Sequence, residues 1–433
     1  MDLTEATRLA HASRDEMAAL QSERLKAMVA YVHDRVPFYR EALDASGVSP
    51  SDIKSIDDIA RLPFTVKHDI QERFPWGLCA VRPNEVARIH SSSGSTGKPI
   101  NTAYTPRDLD DWAVTIARGL SGAGMTPDDV TQIAFKYTLF TGAFGHHLGA
   151  ERLGATIIPT SSGQTERQIL MMQAFNTTTL HCTPSYALVI AETLEELGID
   201  PRGLALRLGV FGAEAMTDGM RDEVQERLAI RVARDYGLTE LGGPGVSIEC
   251  TAQAGYHIAE DLFYPEVVDP DTGVPLPDGR VGELVFTTLA KQASPLLRYR
   301  TRDLASLTRE PCACGRTLVR HSLILGRTDD MMIVGGVNFF PTQVESVVCA
   351  FQELAPHYQI TLCTVNRRDS VRVAVEAEPS FWAQGSGRSG DLTTQIAKRL
   401  QDVVGFRMTV EVVEPFTLTR TEGKSKRVVD TRS

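Results

Sequence analysis

Apolar positions follow two alternating periods through the middle of the chain. Short apolar runs typical of buried strands alternate with segments in which apolar residues recur at helical spacing. The predicted strands are 131–135, 155–159, 178–182, 208–212 and 232–236, and the helices between them include 165–174, 184–197 and 217–228. Because strands and helices alternate, we expect a parallel sheet with helices on its faces.

The pattern differs on both sides of this region. Residues 3–46 have helical spacing that Pro37 interrupts. From residue 256, strand-like runs separated by turn signals such as Pro277-Asp278-Gly279 predict a smaller antiparallel unit attached to the sheet.

The C-terminal part has a pattern of its own. Its predicted elements are a helix at 344–351, strands at 357–365 and 371–377, a helix at 391–404 and a strand at 408–413. This order predicts a small ferredoxin-like domain. The predicted fold class is therefore α/β, with a large N-terminal domain at 1–326 and a ferredoxin-like α+β C-terminal domain at 327–433. The large domain is expected to hold mostly parallel sheet and an antiparallel subunit.

Composition and charge exclude several classes of protein. Lys plus Arg is 45 and Asp plus Glu is 55, and the resulting net charge of −10 argues against a general nucleic-acid binder. No uncharged apolar run approaches the roughly 18 residues of a membrane span. Seven cysteines without a recognisable export signal are typical of a cytoplasmic protein with reduced thiols. We therefore expect a cytoplasmic protein that binds neither nucleic acid nor membrane.

The stretch from Ile89 to Pro99 is rich in hydroxyl and glycine residues. Its candidate phosphate ligands are Ser92, Ser93, Gly94, Ser95, Thr96, Gly97 and Lys98. Glycines let backbone N–H groups converge on an anion, and hydroxyls and a lysine add side-chain donors. The order differs from the common P-loop, because Ser92 replaces its first glycine and Pro99 follows the lysine. This stretch alone fits a phosphate-binding loop or a flexible Ser/Gly turn.

Further motifs favour the phosphate-binding interpretation. They are Gly212-Ala213-Glu214, Asp235-Tyr236-Gly237-Leu238-Thr239-Glu240, Arg298-Tyr299-Arg300-Thr301-Arg302-Asp303-Leu304, Gly326-Arg327-Thr328-Asp329-Asp330-Met331 and Arg420-Thr421-Glu422-Gly423-Lys424. In this order and at these spacings the chain resembles the acyl-adenylate-forming superfamily. Residues 260–266 and 336–343 resemble the phenylacetate–coenzyme A ligase family in particular. The resemblance covers essentially the whole chain.

The resemblance implies two half-reactions. A carboxylate attacks the α-phosphate of ATP to give an acyl-adenylate and pyrophosphate, and a thiol, usually that of coenzyme A, then displaces AMP. It also implies catalytic roles for three residues. Thr239 would donate to the α-phosphate, Glu240 would ligate Mg²⁺, which prefers oxygen ligands, and Lys424 would touch both the carboxylate and the α-phosphate.

The remaining implied residues surround the nucleotide and the acceptor. The 92–98 loop would hold the β- and γ-phosphates, and Asp303 would accept from the ribose hydroxyls with Arg327 beside it. The other implied ATP or AMP contacts are Gly212, Ala213, Glu214, Asp235 and Tyr236. Asp329 is the expected pivot between two orientations of the C-terminal domain, and Gly335 and Gly336 would face the acceptor thiol.

The acid pocket is expected to suit an aromatic ring. Its predicted residues are Lys136, Tyr137, Phe140, Gly142 and Ala213. The aromatic side chains offer large flat apolar surfaces. This segment differs from the usual motif of the resembling family, because Lys136, Thr138 and Ala143 replace glycines. These differences favour a small ring-substituted aromatic acid over phenylacetate itself.

Alternatives concern the acceptor and the class of protein. A carrier-protein thiol, an amine or a phenolic hydroxyl could replace coenzyme A as the acceptor. A non-catalytic acyl-nucleotide sensor would not need both Lys424 and Glu240. The sequence does not determine the oligomeric state, a homodimer being one option.

Four residues outside these motifs form a candidate metal site. Cys312 and Cys314 lie within one tight turn, and Cys250 and His257 lie upstream. A Cys₃His set suits the tetrahedral N/S preference of structural zinc. The spacing is irregular, and the alternative is four unrelated residues, since free cysteines are often small buried hydrophobes. We expect a structural zinc ion.

Overall fold

The structure, a computed structural model, describes residues 2–92, 98–334, 337–365, 368–384, 389–420 and 427–432. Several predicted site residues lie outside these ranges: Ser93, Gly94, Ser95, Thr96, Gly97, Gly335, Gly336 and Lys424.

Several helices begin at a residue whose side chain caps the helix. Thr105 caps the N-terminus of α5, and its hydroxyl and the Asp108 carboxylate satisfy each other's backbone N–H groups. Pro37 occupies the first turn of α3, where no N–H donor is needed. The helices are α1 Leu3–Leu9, α2 Arg14–Arg35, α3 Pro37–Ala45, α4 Lys67–Glu72, α5 Pro106–Gly122, α6 Gly142–Leu153, α7 Thr165–Ala174, α8 Pro184–Glu196, α9 Asp218–Leu228, α10 Pro341–Val348, α11 Pro379–Trp382 and α12 Ser389–Val404.

The strands fall mostly where apolar runs predict them. The strands are β1 Arg88–Ser91, β2 Asn101–Tyr104, β3 Val130–Ile133, β4 Thr156–Ile158, β5 Thr179–Cys182, β6 Leu208–Gly212, β7 Arg231–Leu238, β8 Gly243–Glu249, β9 Tyr256–Ile258, β10 Phe263–Val268, β11 Gly282–Thr288, β12 Tyr299–Ala305, β13 Leu307–Thr308, β14 Arg320–His321, β15 Gly326–Arg327, β16 Met332–Val334, β17 Val337–Phe339, β18 Leu354–Val365, β19 Arg368–Ala377, β20 Thr409–Val413 and β21 Val428–Asp430.

One large sheet runs in the order β13-β14-β9-β8-β7-β6-β5-β3-β4. Strands β4, β3, β5, β6 and β7 are parallel, as predicted from the strand–helix alternation. Strands β8 and β9 extend this sheet in antiparallel pairs. The sequence analysis missed β8, and it assigned β9 to the smaller antiparallel unit. Strands β10, β11 and β12 form an antiparallel arrangement of their own.

Helix α5 packs closely against the large sheet and α6. Its apolar residues Trp112, Ile116 and Leu120 join a buried cluster with residues of β6, β7 and β8. A Cβ atom at Gly119 would lie 2.5 Å from Cδ1 of Ile248, and one at Gly149 would lie 2.3 Å from Cγ2 of Ile116. Glycine at these positions therefore allows the close approach of α5 to its neighbours.

The chain divides into two compact units. Unit 1 comprises 1–182, 202–213 and 231–323, and unit 2 comprises 183–201, 214–230 and 324–433. Within unit 2, strands β20, β19, β18 and β21 form a sheet, and the core between this sheet, α10 and α12 is apolar. The predicted order of elements in this region is present, and β21 completes the sheet. The domain boundary between 326 and 327 stays a prediction.

Candidate active site

The end of β6 carries the first predicted nucleotide motif. Gly212 pairs with Asp235 on β7, and a Cβ atom at Gly212 would lie 2.7 Å from the Asp235 carbonyl oxygen. A larger residue would therefore push the two strands apart. The next residue, Ala213, has φ of 71°, in the left-handed region that alanine seldom adopts. Such backbone conformations concentrate at functional sites.

Asp235 is held by donors from two neighbouring elements. Its Oδ1 accepts from the Gly245 N–H at 2.8 Å, and its Oδ2 lies 3.4 Å from Nε2 of His146 on α6. Nδ1 of His146 lies 2.9 Å from Nδ1 of His181 on β5. Burial, and then the neighbouring His146, hold the pKa of His181 well below its ordinary value, so that His181 is neutral. No sequence signal predicted His181, which lies with His146 in this buried array.

A buried hydrogen bond joins two predicted motifs that are distant in sequence. The Tyr236 hydroxyl donates to Oδ2 of Asp303 at 2.6 Å, and both side chains are buried. The Asp303 N–H donates to the Thr301 hydroxyl at 3.0 Å. Arg302, next in the chain, has φ of 71°. The structure therefore fixes the Asp303 carboxylate beside the Asp235–Glu240 motif.

The Thr239–Glu240 turn follows directly after β7. The Gly242 N–H donates to the carbonyl oxygens of Leu238 and Thr239, both at 3.1 Å, and closes the turn. Thr239 is buried and Glu240 is half-buried. A hydroxyl and a partly exposed carboxylate on one tight turn suit a phosphate with its hard cation.

Both described ends of the Ser/Gly stretch are held by hydrogen bonds. The Ser92 N–H donates to the Ile100 carbonyl at 2.8 Å, and the Ile100 N–H donates to the Ser92 hydroxyl at 3.0 Å. The carbonyl oxygen of the exposed Lys98 accepts from the Gln71 side-chain amide at 2.8 Å.

The predicted acid-pocket segment is tied to the strand that leads into this stretch. The Leu139 carbonyl oxygen accepts from the Ser91 N–H at 2.9 Å and lies 3.0 Å from Nδ1 of His90. The sequence analysis missed His90, because a histidine before a Ser/Gly stretch carries no signal of a partner about fifty residues away.

Tyr137 and Ala213, two of the five predicted acid-pocket residues, lie along one apolar wall, and Phe140 and Gly142 lie close to each other. Tyr137 and Ala213 pack against the buried cluster of Ile133, Phe135 and Ala143. A Cβ atom at Gly142 would lie 2.6 Å from the Phe140 ring. The fifth residue, Lys136, is exposed. A polar contact accompanies this wall, because the Tyr137 hydroxyl lies 3.0 Å from Nδ1 of His147.

Three of the predicted residues that the structure describes belong to unit 2. The Glu214 carboxylate accepts from the Ser185 N–H at 3.2 Å and from the Ser185 hydroxyl at 2.5 Å. Arg327 donates to both carboxylate oxygens of Asp329, at 2.9 Å and 3.1 Å. Arg327 and the predicted hinge residue therefore form a local ion pair that the sequence analysis did not foresee.

The four predicted metal ligands lie together. Cys312 and Cys314 occupy the turn between β13 and β14, and β14 pairs with β9, which carries His257. The Sγ atoms of Cys250 and Cys312 are 3.7 Å apart, and Sγ of Cys314 lies 3.4 Å from Nε2 of His257. All four candidate ligand atoms lie within 4.8 Å of one another. A tetrahedral site with zinc–sulfur bonds of about 2.3 Å requires sulfur atoms about 3.8 Å apart.

Known protein sequences resemble this chain over nearly its whole length. The sequence model of the AMP-binding enzyme family matches residues 7–289, and that of the AMP-binding enzyme C-terminal domain matches residues 336–432. The phenylacetate-coenzyme A ligase of Thermus thermophilus is 48% identical over 97% of both chains. The chain belongs to the AMP-binding enzyme family. Within that family it belongs with the phenylacetate–coenzyme A ligases.

Solved structures of this AMP-binding enzyme family agree with the fold. The 2-hydroxyisobutyryl-CoA ligase in its postadenylation state is 28% identical and superposes with a TM-score of 0.92, covering 97% of this chain and 90% of that one. The same enzyme with CoA in its thioesterification state is 29% identical, with a TM-score of 0.72 and coverage of 98% and 91%. The predictions of family, fold class and an ATP-dependent acid–thiol ligase are confirmed.

Other predictions are confirmed only in part or stay open. ATP, coenzyme A and an aromatic acid are consistent with an AMP-binding enzyme of this group. Magnesium, zinc, the individual site residues, a carrier-protein acceptor and the oligomeric state stay predictions. Among the described residues, no helix combines the length and apolarity that crossing a membrane requires. The cytoplasmic location also stays a prediction.

Proposed function

We propose that this AMP-binding enzyme joins a ring-substituted aromatic carboxylic acid to coenzyme A in two half-reactions. In the first, a carboxylate oxygen bonds to the α-phosphorus of ATP and pyrophosphate leaves. In the second, the thiolate sulfur bonds to the acyl carbon and AMP leaves. The observation that carries this proposal is that Ala213, which follows Gly212 in a predicted nucleotide motif, packs against the same buried cluster as the aromatic side chain of Tyr137.

The nucleotide is proposed to lie along the ends of β6 and β7. Asp303, oriented by the Tyr236 hydroxyl, accepts from the ribose hydroxyls. Thr239 donates to the α-phosphate and the 92–98 stretch donates to the β- and γ-phosphates. Glu240 supplies carboxylate oxygens to Mg²⁺, whose charge offsets that of the phosphate oxygens.

The ring of the acid is proposed to lie against the apolar wall of Tyr137, Phe140 and Ala213. Flat aromatic surfaces favour an aryl group over a short aliphatic one. The Tyr137 hydroxyl and His147 form a polar pair at this wall. Such a pair supports a ring substituent that can hydrogen bond, because a hydroxyl and an imidazole that bond each other can each still make a further hydrogen bond to a ligand.

The two half-reactions are proposed to use different orientations of residues 327–433. Asp329 would be the pivot, because hinges absorb backbone change at a few residues between rigid parts. One orientation brings Lys424 to the α-phosphate, and the other presents Gly335 and Gly336 to the acceptor. The related 2-hydroxyisobutyryl-CoA ligase, solved in a postadenylation and a thioesterification state, supports such a cycle. A carrier-protein thiol is the alternative acceptor.

Cys250, His257, Cys312 and Cys314 are proposed to hold a structural zinc ion. The sulfur–sulfur distance of 3.7 Å fits a tetrahedral site. Three thiolates and one imidazole would fill all four positions, so the ion would brace the 250–257 segment against the 312–314 turn. It would take no part in the reaction.

The proposed function is tested by pyrophosphate release with ATP, Mg²⁺ and a panel of aromatic acids, with and without coenzyme A. We expect release that depends on the acid, a preference for ring-substituted acids, and loss of free coenzyme A thiol in step with AMP formation. Acid-dependent release without consumption of coenzyme A would favour another acceptor. No release with any aromatic acid would overturn the proposal.

A further inference from the structure

Arg420 is bound by two carboxylates from different elements of unit 2. Its guanidinium donates to both oxygens of Glu192 on α8, each at 3.0 Å. It also donates to both oxygens of Glu376 on β19, each at 2.9 Å. Charge-assisted bidentate contacts of this kind fix the orientation as well as the position of a guanidinium.

The two carboxylates differ in what else they hold. Glu376 is fully buried and accepts from the backbone N–H groups of Phe416 at 3.1 Å and Leu418 at 2.5 Å. Glu376 on β19 therefore holds the loop that carries Arg420 in place. Glu192 lies instead in the region matched by the AMP-binding enzyme model, and its Oε1 lies 2.8 Å from Nε2 of His357.

The far end of the 421–426 segment is held in a similar way. Nη1 of Arg427 lies 3.0 Å from Oε2 of Glu345, and its guanidinium lies 4.4 Å from the centre of the Tyr358 ring. The Arg427 carbonyl oxygen accepts from the Ile360 N–H at 2.8 Å. Both residues that border the segment of Lys424 are therefore anchored by arginine–carboxylate pairs.

Glu192 differs from the other two carboxylates in its place in the chain. Glu345 and Glu376 lie within residues 336–432, which match the C-terminal domain model, whereas Glu192 lies within residues 7–289. A reorientation of residues 327–433 would keep the pairs of Arg420 with Glu376 and of Arg427 with Glu345. It would break the pair of Arg420 with Glu192.

We propose that Glu192 is a positioning residue for adenylation, because it holds Arg420 against α8 in only one orientation of residues 327–433. This inference rests on the proposed role of Lys424. A contact that forms in only one of two orientations favours that orientation, and the free energy of the contact sets how far the equilibrium shifts. Loss of the Glu192 charge would then slow adenylation and leave thioester formation intact.

The test compares Glu192→Gln with Glu195→Gln in the full-length protein. Glutamine keeps the shape of residue 192, and Arg420 remains paired with Glu376, so the variant is expected to fold. Glu195 lies on the same helix and pairs with Arg227 at 2.9 Å, but it does not contact Arg420. Pyrophosphate release and conversion of preformed acyl-adenylate with coenzyme A are measured separately.

We expect Glu192→Gln to lower kcat for pyrophosphate release about tenfold with little change in the KM of acid or ATP. Its conversion of acyl-adenylate should be unchanged or faster, and Glu195→Gln should affect neither step. Equal loss of both steps in Glu192→Gln, or loss of neither, would overturn the inference. Failure of the proposed function would appear differently, as a wild-type protein that releases no pyrophosphate.

Discussion

Two polar regions of the molecule, one in each unit, are built in contrasting ways. In unit 1, Tyr236 on β7 and Asp303 on β12 meet in a buried hydrogen bond of 2.6 Å, and both residues belong to strands. In unit 2, Arg420 lies outside any helix or strand and bridges Glu192 and Glu376. In the first region, the backbone pairing of the strands and a side-chain hydrogen bond hold the carboxylate. In the second region, ion pairs with two glutamates hold an arginine that lies in a loop.

The difference matches what each region is proposed to do. AMP must stay bound through both half-reactions, so its ribose needs a carboxylate whose position the strands fix. In the proposed cycle, Lys424 would approach the phosphate in one half-reaction and withdraw in the other. Ion pairs suit a contact that forms and breaks, because charges that separate regain their hydration.

Lys424→Ala should give the largest loss of activity, and the loss should be confined to adenylation. Its ammonium would offset charge developing on the α-phosphate and carboxylate, so we expect pyrophosphate release to fall by about 10²–10³-fold or more. Conversion of preformed acyl-adenylate to thioester should be retained. Lys398→Ala, at an exposed position of α12, is the matched control. A similar loss in both half-reactions would show that Lys424 is not specific to adenylation.

Asp303→Asn should weaken both half-reactions instead of one. Asparagine can still accept from Tyr236 but lacks the charge that strengthens hydrogen bonds to the ribose hydroxyls. We expect kcat/KM for ATP to fall about 10- to 100-fold, with a similar loss in the use of acyl-adenylate measured as kcat/KM. Asp278→Asn, at a surface ion pair with Arg309, should change neither. A loss confined to one half-reaction would show that Asp303 does not serve both half-reactions.

Cys312→Ser should leave both half-reactions largely intact and lower the zinc content and the stability of the fold. Loss of one ligand should lower the zinc content from about one ion per chain. The melting temperature should fall by about 5 °C or more, because the 250–257 segment and the 312–314 turn lose their brace. Cys363→Ser, outside the cluster, is the control. Wild-type protein that binds no zinc, with a melting temperature equal to that of the variant, would contradict the proposed metal site.

The sequence predicts the parallel strands well because their apolar runs are continuous. It also predicts the Cys₃His cluster, because few other roles combine these residue types. Strand β8 was missed because Gly243, Pro244 and Gly245 open it, and such residues usually indicate a turn. Its pairing with β7 and β9 comes from tertiary contacts that a single sequence does not contain.

The sequence does not predict the carboxylates around Arg420. Glu192 lies on a helix with many apolar residues, and its partner follows 228 positions later. A lone glutamate on a helix normally faces solvent, so neither spacing nor composition distinguishes Glu192 from Glu195. The contact between the His90 ring and Leu139 cannot be predicted from the sequence either, because it involves a backbone carbonyl oxygen, which every residue has.

The ratio of the adenylation rate to the thioester-formation rate, measured side by side in Glu192→Gln and Asp303→Asn, shows whether the two regions serve different half-reactions. Both rates are obtained from one preparation of each variant, so differences in the folded fraction cancel. We expect the ratio of adenylation to thioester formation to fall about tenfold in Glu192→Gln and to stay within about twofold of wild type in Asp303→Asn. The same ratio in both variants would show that Glu192 has no role specific to adenylation.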